Sequence, residues 1–425
     1  MTEDIQLGEL VPGGQTISEL ASGRKVFVWG GLPGERVRAL VTKKKRGWAE
    51  AVVEKVLANS HPSRVTPRDE ASYLSTSPWQ VYGWEFENTQ KQKILKDTFQ
   101  QFGITVEHDW HHDDREYNYR NKMEFSFWWE QDTGLQLSFY RRGSSERIQV
   151  KGSSLAMEAI NLGAHAVLSL IHDKQLDGRQ LKSLVVRASA DGQTSAVLYV
   201  KDKDLPMLLK DETELPKGLN ALNVAYSDPR SPASIVSEGK HQTYGSALLA
   251  DTILGKKFQY MPHSFFQVNV PMFEQALRRI MMYVEGSPCQ TVDFYSGVGS
   301  IGLSVGADVL VESDTTSSDW AVANAKEQGN ETVEVRHVAA EAAVDEIKHD
   351  QTVIVDPPRA GLHKNFTQAL TDVKPQKIIY LSCNPATQAR DIQLLGSDYS
   401  IQEARGYNFF PKTPHIESLI ELVRK

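Results

Sequence analysis

The chain has 425 residues, and 47 lysines and arginines against 54 aspartates and glutamates leave a formal charge of −7. At roughly 150 residues per domain this predicts two or three domains of ordinary soluble composition with room for a sizeable core. Two cysteines, Cys289 and Cys383, with no Cys-x-x-Cys argue against a disulfide scaffold, a structural zinc site or an iron–sulfur cluster, and the net acidity means that a polyanionic partner must be met by local basic patches.

The opening residues, Met1-Thr-Glu-Asp-Ile-Gln-Leu-Gly8, have neither the basic start nor the apolar core of a signal peptide. No apolar run approaches the roughly 20 residues that span a bilayer, so a cytoplasmic protein without membrane contact is expected. Residues 1–58 alternate in short runs, Lys25-Val-Phe-Val-Trp29, Glu35-Arg-Val-Arg-Ala-Leu-Val41 and Trp48-Ala-Glu-Ala-Val-Val53, separated by glycine-bearing turns. Short strands at this spacing predict a small OB-like β-barrel. Lys43-Lys-Lys-Arg46 beside Trp48 sets four cations and an aromatic face at a loop, which suits phosphate attraction and base stacking as well as a solvated hairpin tip. Gly14, Gly23-Arg-Lys-Val-Phe-Val28, Gly31-Leu-Pro-Gly-Glu-Arg-Val37 and Ser60-His-Pro-Ser-Arg-Val-Thr-Pro67 resemble the TRAM domain that precedes many RNA-modifying enzymes.

Residues 59–260 read as a central α+β domain. Phe86, Ile94, Leu95, Phe99 and Phe102 recur at helical intervals before Gly103, so a helix near 85–102 is expected, packed against a neighbouring domain. His108, His111 and His112 among Asp109, Asp113 and Asp114 lack a defined ligand spacing and read as a polar loop, not a metal site. Tyr119–Trp128 and Leu135–Tyr140 alternate around Asp132-Thr-Gly134 and predict a hairpin. Arg120, Lys122, Arg141 and Arg142 near Tyr117, Tyr119 and Tyr140 suggest a basic, aromatic surface for single-stranded nucleic acid, or an ordinary antiparallel face. Residues 155–171 look helical, Leu184–Arg187 and Ser195–Val200 look like paired strands, and 201–240 carries little signal.

From about 261 to 425 apolar strands alternate with helical patterns, which predicts a Rossmann-like domain. Three strand ends there carry unusual residues. Val292-Asp-Phe-Tyr-Ser-Gly-Val-Gly-Ser300 runs from a strand into a glycine turn that lets a backbone approach a nucleotide-type cofactor. Glu312 ends the next strand, where a carboxylate can accept both ribose hydroxyls. A dehydrogenase fits so far, but the turn lacks the full G-x-G-x-x-G spacing of pyrophosphate binding, and no hydride-transfer set follows. Asp356 with Pro357-Pro358, and Cys383 with Asn384-Pro385, end two further strands.

His263-Ser-Phe-Phe-Gln-Val-Asn269, Asp293-Phe-Tyr-Ser-Gly-Val-Gly299, Val311-Glu-Ser-Asp314, Asp356-Pro-Pro-Arg-Ala-Gly361, Ser382-Cys-Asn-Pro385 and Pro414-His-Ile-Glu417 together resemble the successive motifs of the bacterial RNA 5-methyluridine methyltransferases. The resemblance implies that Gln267, Tyr295, Glu312 and Asp356 contact S-adenosylmethionine, that Cys383 is the nucleophile and that Glu417 is the base. Many relatives carry four cysteines around an iron–sulfur cluster ahead of the central domain; none stands here, so no cluster or other metal is expected. Ser300 and Ala339 depart from the usual polar residues near the donor. The expected activity is methylation of carbon 5 of a uridine in RNA, 23S ribosomal RNA first because of the N-terminal barrel, with transfer RNA or a non-catalytic RNA-remodelling binder as alternatives. No obligate protein partner is evident.

Overall fold

A computed structural model describes residues 1–231, 234–286 and 289–425. The chain gathers into two compact units, one of Met1–Glu87, Arg115–Leu249 and Met261–His263, the other of Asn88–Asp114, Ala250–Tyr260 and Ser264–Lys425.

The first unit begins with a five-stranded sheet in the order Thr2–Gln6, Arg36–Lys44, Trp48–Ala58, Lys25–Trp29, Thr16–Glu19. Its two outer strands are joined where Gly8 N donates to Ile17 O at 2.8 Å and Ile17 N to Glu9 O at 2.9 Å. Alternation turns Val26, Val28, Val37, Ala39, Ala49 and Ala51 inward as its core. The Leu32-Pro-Gly-Glu35 string has a structural reason. Glu35 is fully buried, its carboxylate accepting Leu32 N at 2.9 Å and His61 N at 3.1 Å and pairing with Arg64 at 2.6 Å. Burial alone would push this carboxyl up, but the Arg64 guanidinium and the two backbone N–H groups outweigh it and hold it below the ordinary range. Trp79, stacked on Tyr82 at 4.8 Å, donates Nε1 to Gly14 O at 2.8 Å, so the short turn Pro78–Val81 seals this sheet.

The same unit holds a seven-stranded sheet, His241–Gly245, Ala221–Tyr226, Thr194–Val200, Leu181–Ala188, Lys122–Glu130, Gly134–Tyr140 and Arg147–Gln149. Helix Glu158–Asp173 packs Ile160, Ala164, Val167 and Ile171 against one face of it. The low-signal stretch conceals Ala221–Tyr226, which runs parallel to Thr194–Val200. The basic, aromatic surface expected around Arg120 to Arg142 is not continuous. Tyr119 is buried, burial pushes Lys122 down to about 8, and Arg142 lies 4.3 Å over Trp29 with its guanidinium bonded to Leu74 O and Ser75 O. Arg142 is thus spent on internal acceptors, and Lys122 is desolvated.

In the second unit an eight-stranded sheet runs Glu334–His337, Val309–Glu312, Gln290–Phe294, Gln351–Val355, Lys377–Ser382, Glu417–Arg424, Tyr399–Tyr407, Asp109–His111. The first five strands are mutually parallel, and Glu417–Arg424 is antiparallel to both of its neighbours. The histidine-rich stretch is thus a loop only in part, since His112 to Asp114 lie outside any strand but Asp109–His111 do not. Asp109–His111 forms the sheet edge, His111 stacks on Tyr407 at 5.1 Å, and His108 is buried against Phe99, its ring pushed down to about 4 by burial. On helix Trp84–Gln101, Asn88, Lys91, Leu95 and Phe99 lie at helical spacing. Lys91 Nζ donates to Asn408 Oδ1 at 2.7 Å and Phe410 O at 3.0 Å, and Asn408 Nδ2 donates to Asn88 Oδ1 at 3.0 Å, which fixes the loop before Glu417. Among the described residues no helix is long and apolar enough to cross a membrane, and no group of three His, Cys, Asp or Glu side chains is placed to hold a metal ion.

Candidate active site

The strand order reverses direction beside Gln290–Phe294. The chain moves outward to Val309–Glu312 and Glu334–His337, then returns to the other side of the first strand with Gln351–Val355. Opposed crossovers leave a crevice beyond the carboxyl ends of these strands, where open α/β sheets bind ligands. Strand register aligns Phe294, Val311 and Val355, so the residues that follow them, Tyr295, Glu312 and Asp356, leave the sheet at one end.

The turn after Phe294 is held from below by Asp293, whose Oδ2 accepts Gly302 N at 2.8 Å while Oδ1 meets no hydrogen-bond partner among the described residues. Burial pushes the Asp293 carboxyl well up, with Asp356 and Glu312 adding to it against the Gly302 N–H. Tyr295 takes a φ of 63°, and Gly297 and Gly299 take 56° and 84°, a run of left-handed backbone that glycine accommodates and tyrosine resists. The Glu312 carboxylate accepts Gly297 N at 2.8 Å and Asp314 N at 2.7 Å. Its other contact, the Ser313 hydroxyl at 3.3 Å, is a rotor that a ligand hydroxyl can displace. Burial also pushes the Tyr295 hydroxyl up to about 12, partly offset by the His363 backbone.

These residues fit a phosphate-free, positively charged donor. Glu312 offers a carboxylate to donor hydroxyls, and Asp293, Asp356 and Glu417, whose pKa values burial raises, gather toward the same end of the sheet, where a bound sulfonium or ammonium favours their ionised form as a pyrophosphate would not. The cradle is tight. A Cβ on Gly302 would lie 2.2 Å from Leu310 Cδ2 and 2.8 Å from Asp293 Oδ2. Gly302→Ala is therefore expected to destabilise the protein by about 1–3 kcal/mol and to weaken S-adenosylhomocysteine binding more than tenfold, roughly the loss of one well-placed hydrogen bond. Calorimetric titration alongside thermal melting checks both.

Cys383 follows the strand Lys377–Ser382 and precedes helix Pro385–Leu395. Antiparallel pairing sets Ser382 opposite Ser418, so Cys383 and Glu417 occupy adjoining cross-strand positions. Gln388 stitches the pair by donating Nε2 to Tyr380 O at 2.8 Å and Ser418 O at 3.2 Å. Asn384 Nδ2 donates to Arg359 O at 2.7 Å, tying the thiol turn to the Asp356-Pro-Pro-Arg359 segment. Asp356 caps no helix, since His363 caps Lys364–Val373.

The sequence leaves open what lowers the thiol pKa, and in this structure the net effect is upward. Burial first, then Glu417 and Asp356, together push Cys383 up to about 12 against the opposing Arg359. Glu417, 2% exposed, is itself raised well above the carboxylate range by burial and then by Asp356, against Arg359. Burial brings Asp356 up to about 7. A proton held on Glu417 removes its repulsion from a thiolate, so the three groups titrate as a set.

Gln267 lies buried two residues before Asn269, the cap of helix Val270–Val284, whose Nδ2 donates to Phe409 O at 3.0 Å. That bond ties the Gln267 segment to the loop leading into Glu417. Ser300 ends the glycine turn and passes its carbonyl to Ser304 Oγ at 2.7 Å, and Ala339 starts a short turn without a side-chain cap. Two residues given no role from sequence join the site. Arg359 is a cation acting on both Cys383 and Glu417, and its Nη2 lies 3.0 Å from His415 Nδ1. Asp293 orders the glycine turn. Both stand inside quoted motifs, but only the fold shows their contacts.

Residues 84–425 match the family model described as tRNA (Uracil-5-)-methyltransferase. An uncharacterized RNA methyltransferase of Thermotoga maritima is 26% identical, covering 100% of this chain and 99% of its own length, and one of Clostridium tetani is 28% identical over 95% and 93%. In fold, the chain is similar to the crystal structure of Pyrococcus abyssi tRNA (uracil-54, C5)-methyltransferase in complex with S-adenosyl-L-homocysteine, with a TM-score of 0.77 at 23% identity over 99% of this chain and 100% of that one. A family match over most of the length, on a chain whose glycine turn, acidic strand ends and paired Cys383 and Glu417 share one sheet end, places this protein in the tRNA (uracil-5-)-methyltransferase family, as an RNA uracil-5-methyltransferase that uses S-adenosylmethionine.

Proposed function

We propose that this enzyme methylates carbon 5 of one specific uridine, with 23S ribosomal RNA the first substrate to test, through a transient bond between Cys383 and carbon 6 of the uracil. The observation that carries the covalent route is the pairing of Lys377–Ser382 with Glu417–Arg424, which sets a thiol and a buried carboxyl side by side. Carbon 5 of uracil is a weak nucleophile. Once its proton has passed to solvent, Cys383 Sγ adds to carbon 6, and the electron pair of the 5,6 double bond moves onto carbon 5 and oxygen 4 as an enolate. S-adenosylmethionine, when bound, supplies an electrophilic methyl group for that carbon. Ionised Glu417 then takes the carbon 5 proton, the double bond reforms, and the bond from carbon 6 to Sγ breaks. Gln267, Tyr295, Glu312 and Asp356 hold the donor, and Asp356 also orients the uracil edge. The N-terminal barrel serves as a TRAM module on the RNA, and the target base is flipped out of its stack.

Transfer RNA is the second reading. It is favoured by the family description and by the Pyrococcus abyssi tRNA enzyme, whose fold spans 99% of this chain. Mapping 5-methyluridine in ribosomal and transfer RNA from cells with and without the gene decides: one ribosomal position should lose its methyl group. Loss confined to transfer RNA would transfer the assignment, and no loss in either would end it.

A further inference from the structure

The seven-stranded sheet carries aromatic and cationic side chains that its own folding does not call for. Trp128 and Trp129 stand in sequence at the end of strand Lys122–Glu130 and remain 38% and 66% exposed, and Tyr140 on the next strand is 50% exposed. Large aromatics normally bury most of their surface, and three left open together mark a contact site. Trp128 and Trp129 border a cleft of about 680 Å³ lined also by Arg147, Arg179, Lys182 and Lys201, with Asp177 as the acidic residue in its lining. Asp177 is committed to its own turn, where its Oδ1 accepts Arg179 N at 2.9 Å.

The cations are arranged around the rings. The Arg147 guanidinium lies 4.5 Å over Tyr140 and 6.0 Å from the Trp128 ring, and its Nη2 donates to Tyr140 OH at 2.7 Å. Lys182 is fixed by Ser227 Oγ, Asp228 O and Ser231 O at 2.9–3.0 Å. Arg179 and Lys201 are exposed at the rim. Burial lowers the Lys201 pKa, and Arg147 and Lys182 lower it further, the mark of cations crowded without enough negative charge. In a chain of net charge −7 this is a local excess of positive charge, and an anion relieves it.

We infer that this cleft, built in a different compact unit from Cys383, binds single-stranded RNA, with phosphates on Arg179 and Lys201 and a base stacked on Trp129. The chemistry is an electrostatic groove joined to an aromatic platform, which tolerates any base because every base offers a π-face. The inference rests on the reading above that the substrate is RNA, and it deepens that reading by naming a second contact on the substrate.

The test uses the full chain and a fluorescein-labelled, mixed-sequence RNA of about 12 nucleotides, within the usual site sizes for such grooves, with anisotropy followed against salt. Trp129→Ala is expected to weaken binding about tenfold with an unchanged salt slope. Arg179→Ala with Lys201→Ala is expected to lower the slope of log K against log salt by about 1.4, at roughly 0.7 per single-strand phosphate. In a methylation assay on the responding RNA, both variants should raise KM and keep kcat. Wild-type affinity and slope in both variants would overturn the inference and leave the cleft to a protein partner. Trapping of 5-fluorouridine RNA on Cys383 separates the two claims. Trapping with RNA affinity indifferent to the cleft sinks the inference alone, whereas cleft-dependent affinity without trapping sinks the covalent mechanism alone.

Discussion

Replacing Cys383 by alanine is expected to reduce methyl transfer at least about 10⁴-fold, the scale on which removal of a covalent nucleophile is felt. The thiol is partly exposed at the end of an otherwise buried strand, so losing one sulfur there leaves the sheet intact. Binding of S-adenosylhomocysteine and of RNA should survive. A 5-fluorouridine RNA should form a denaturation-resistant adduct with the wild-type enzyme, because fluorine on carbon 5 cannot leave as a proton, and none with the variant. Undiminished methylation by Cys383→Ala would end the covalent route. Intact cellular function with no methylated product would instead favour an RNA-remodelling binder.

Replacing Glu417 by glutamine is expected to lower turnover about 10²–10⁴-fold, the usual range for a lost general base. It should do so by a different route from Cys383→Ala. Attack and methyl transfer still occur, the carbon 5 proton stays, and a methylated RNA–protein adduct accumulates on denaturing gels with unmodified RNA. The absence of any such adduct would remove Glu417 from the base role.

The pH dependence follows from the burial of the same carboxyl. Its folded pKa is raised well above the ordinary 4.5, first by burial and then by Asp356. For a raised pKa, the stability contribution is complete below the unfolded value and is lost as pH climbs through the folded one. Glu417→Gln, neutral throughout, should therefore melt with the wild type near pH 4 and above it increasingly as pH rises past 4.5. Turnover runs the other way, because the base acts only when ionised and the rate must climb with pH. Stability and rate that rise together with pH would show that Glu417 does not titrate in the folded protein.

Much of this was legible along the chain because it is local. Alternation of period two gives the strands of residues 1–58 and the hairpin around Asp132-Thr-Gly134, and helical spacing gives Trp84–Gln101. The strand-to-turn signals at Tyr295, Glu312, Asp356 and Cys383 are local as well, since glycine, proline and a terminal acid declare a strand end wherever it lies in space. Charge and periodicity could not place the histidine stretch. Asp109–His111 is a strand only because Tyr399–Tyr407, some 290 residues later, offers it an edge. Nor could they sort the basic surface, since whether Arg142 meets solvent or the Leu74 carbonyl depends on a segment far off in sequence, whereas the open cleft at Trp129 gathers residues from five separate stretches. Tertiary structure likewise decided the protonation of the site. Side chains at 356, 359, 383 and 417 acquire their pKa values from mutual distance and exclusion of water, and neither quantity exists until the sheet brings its strand ends together.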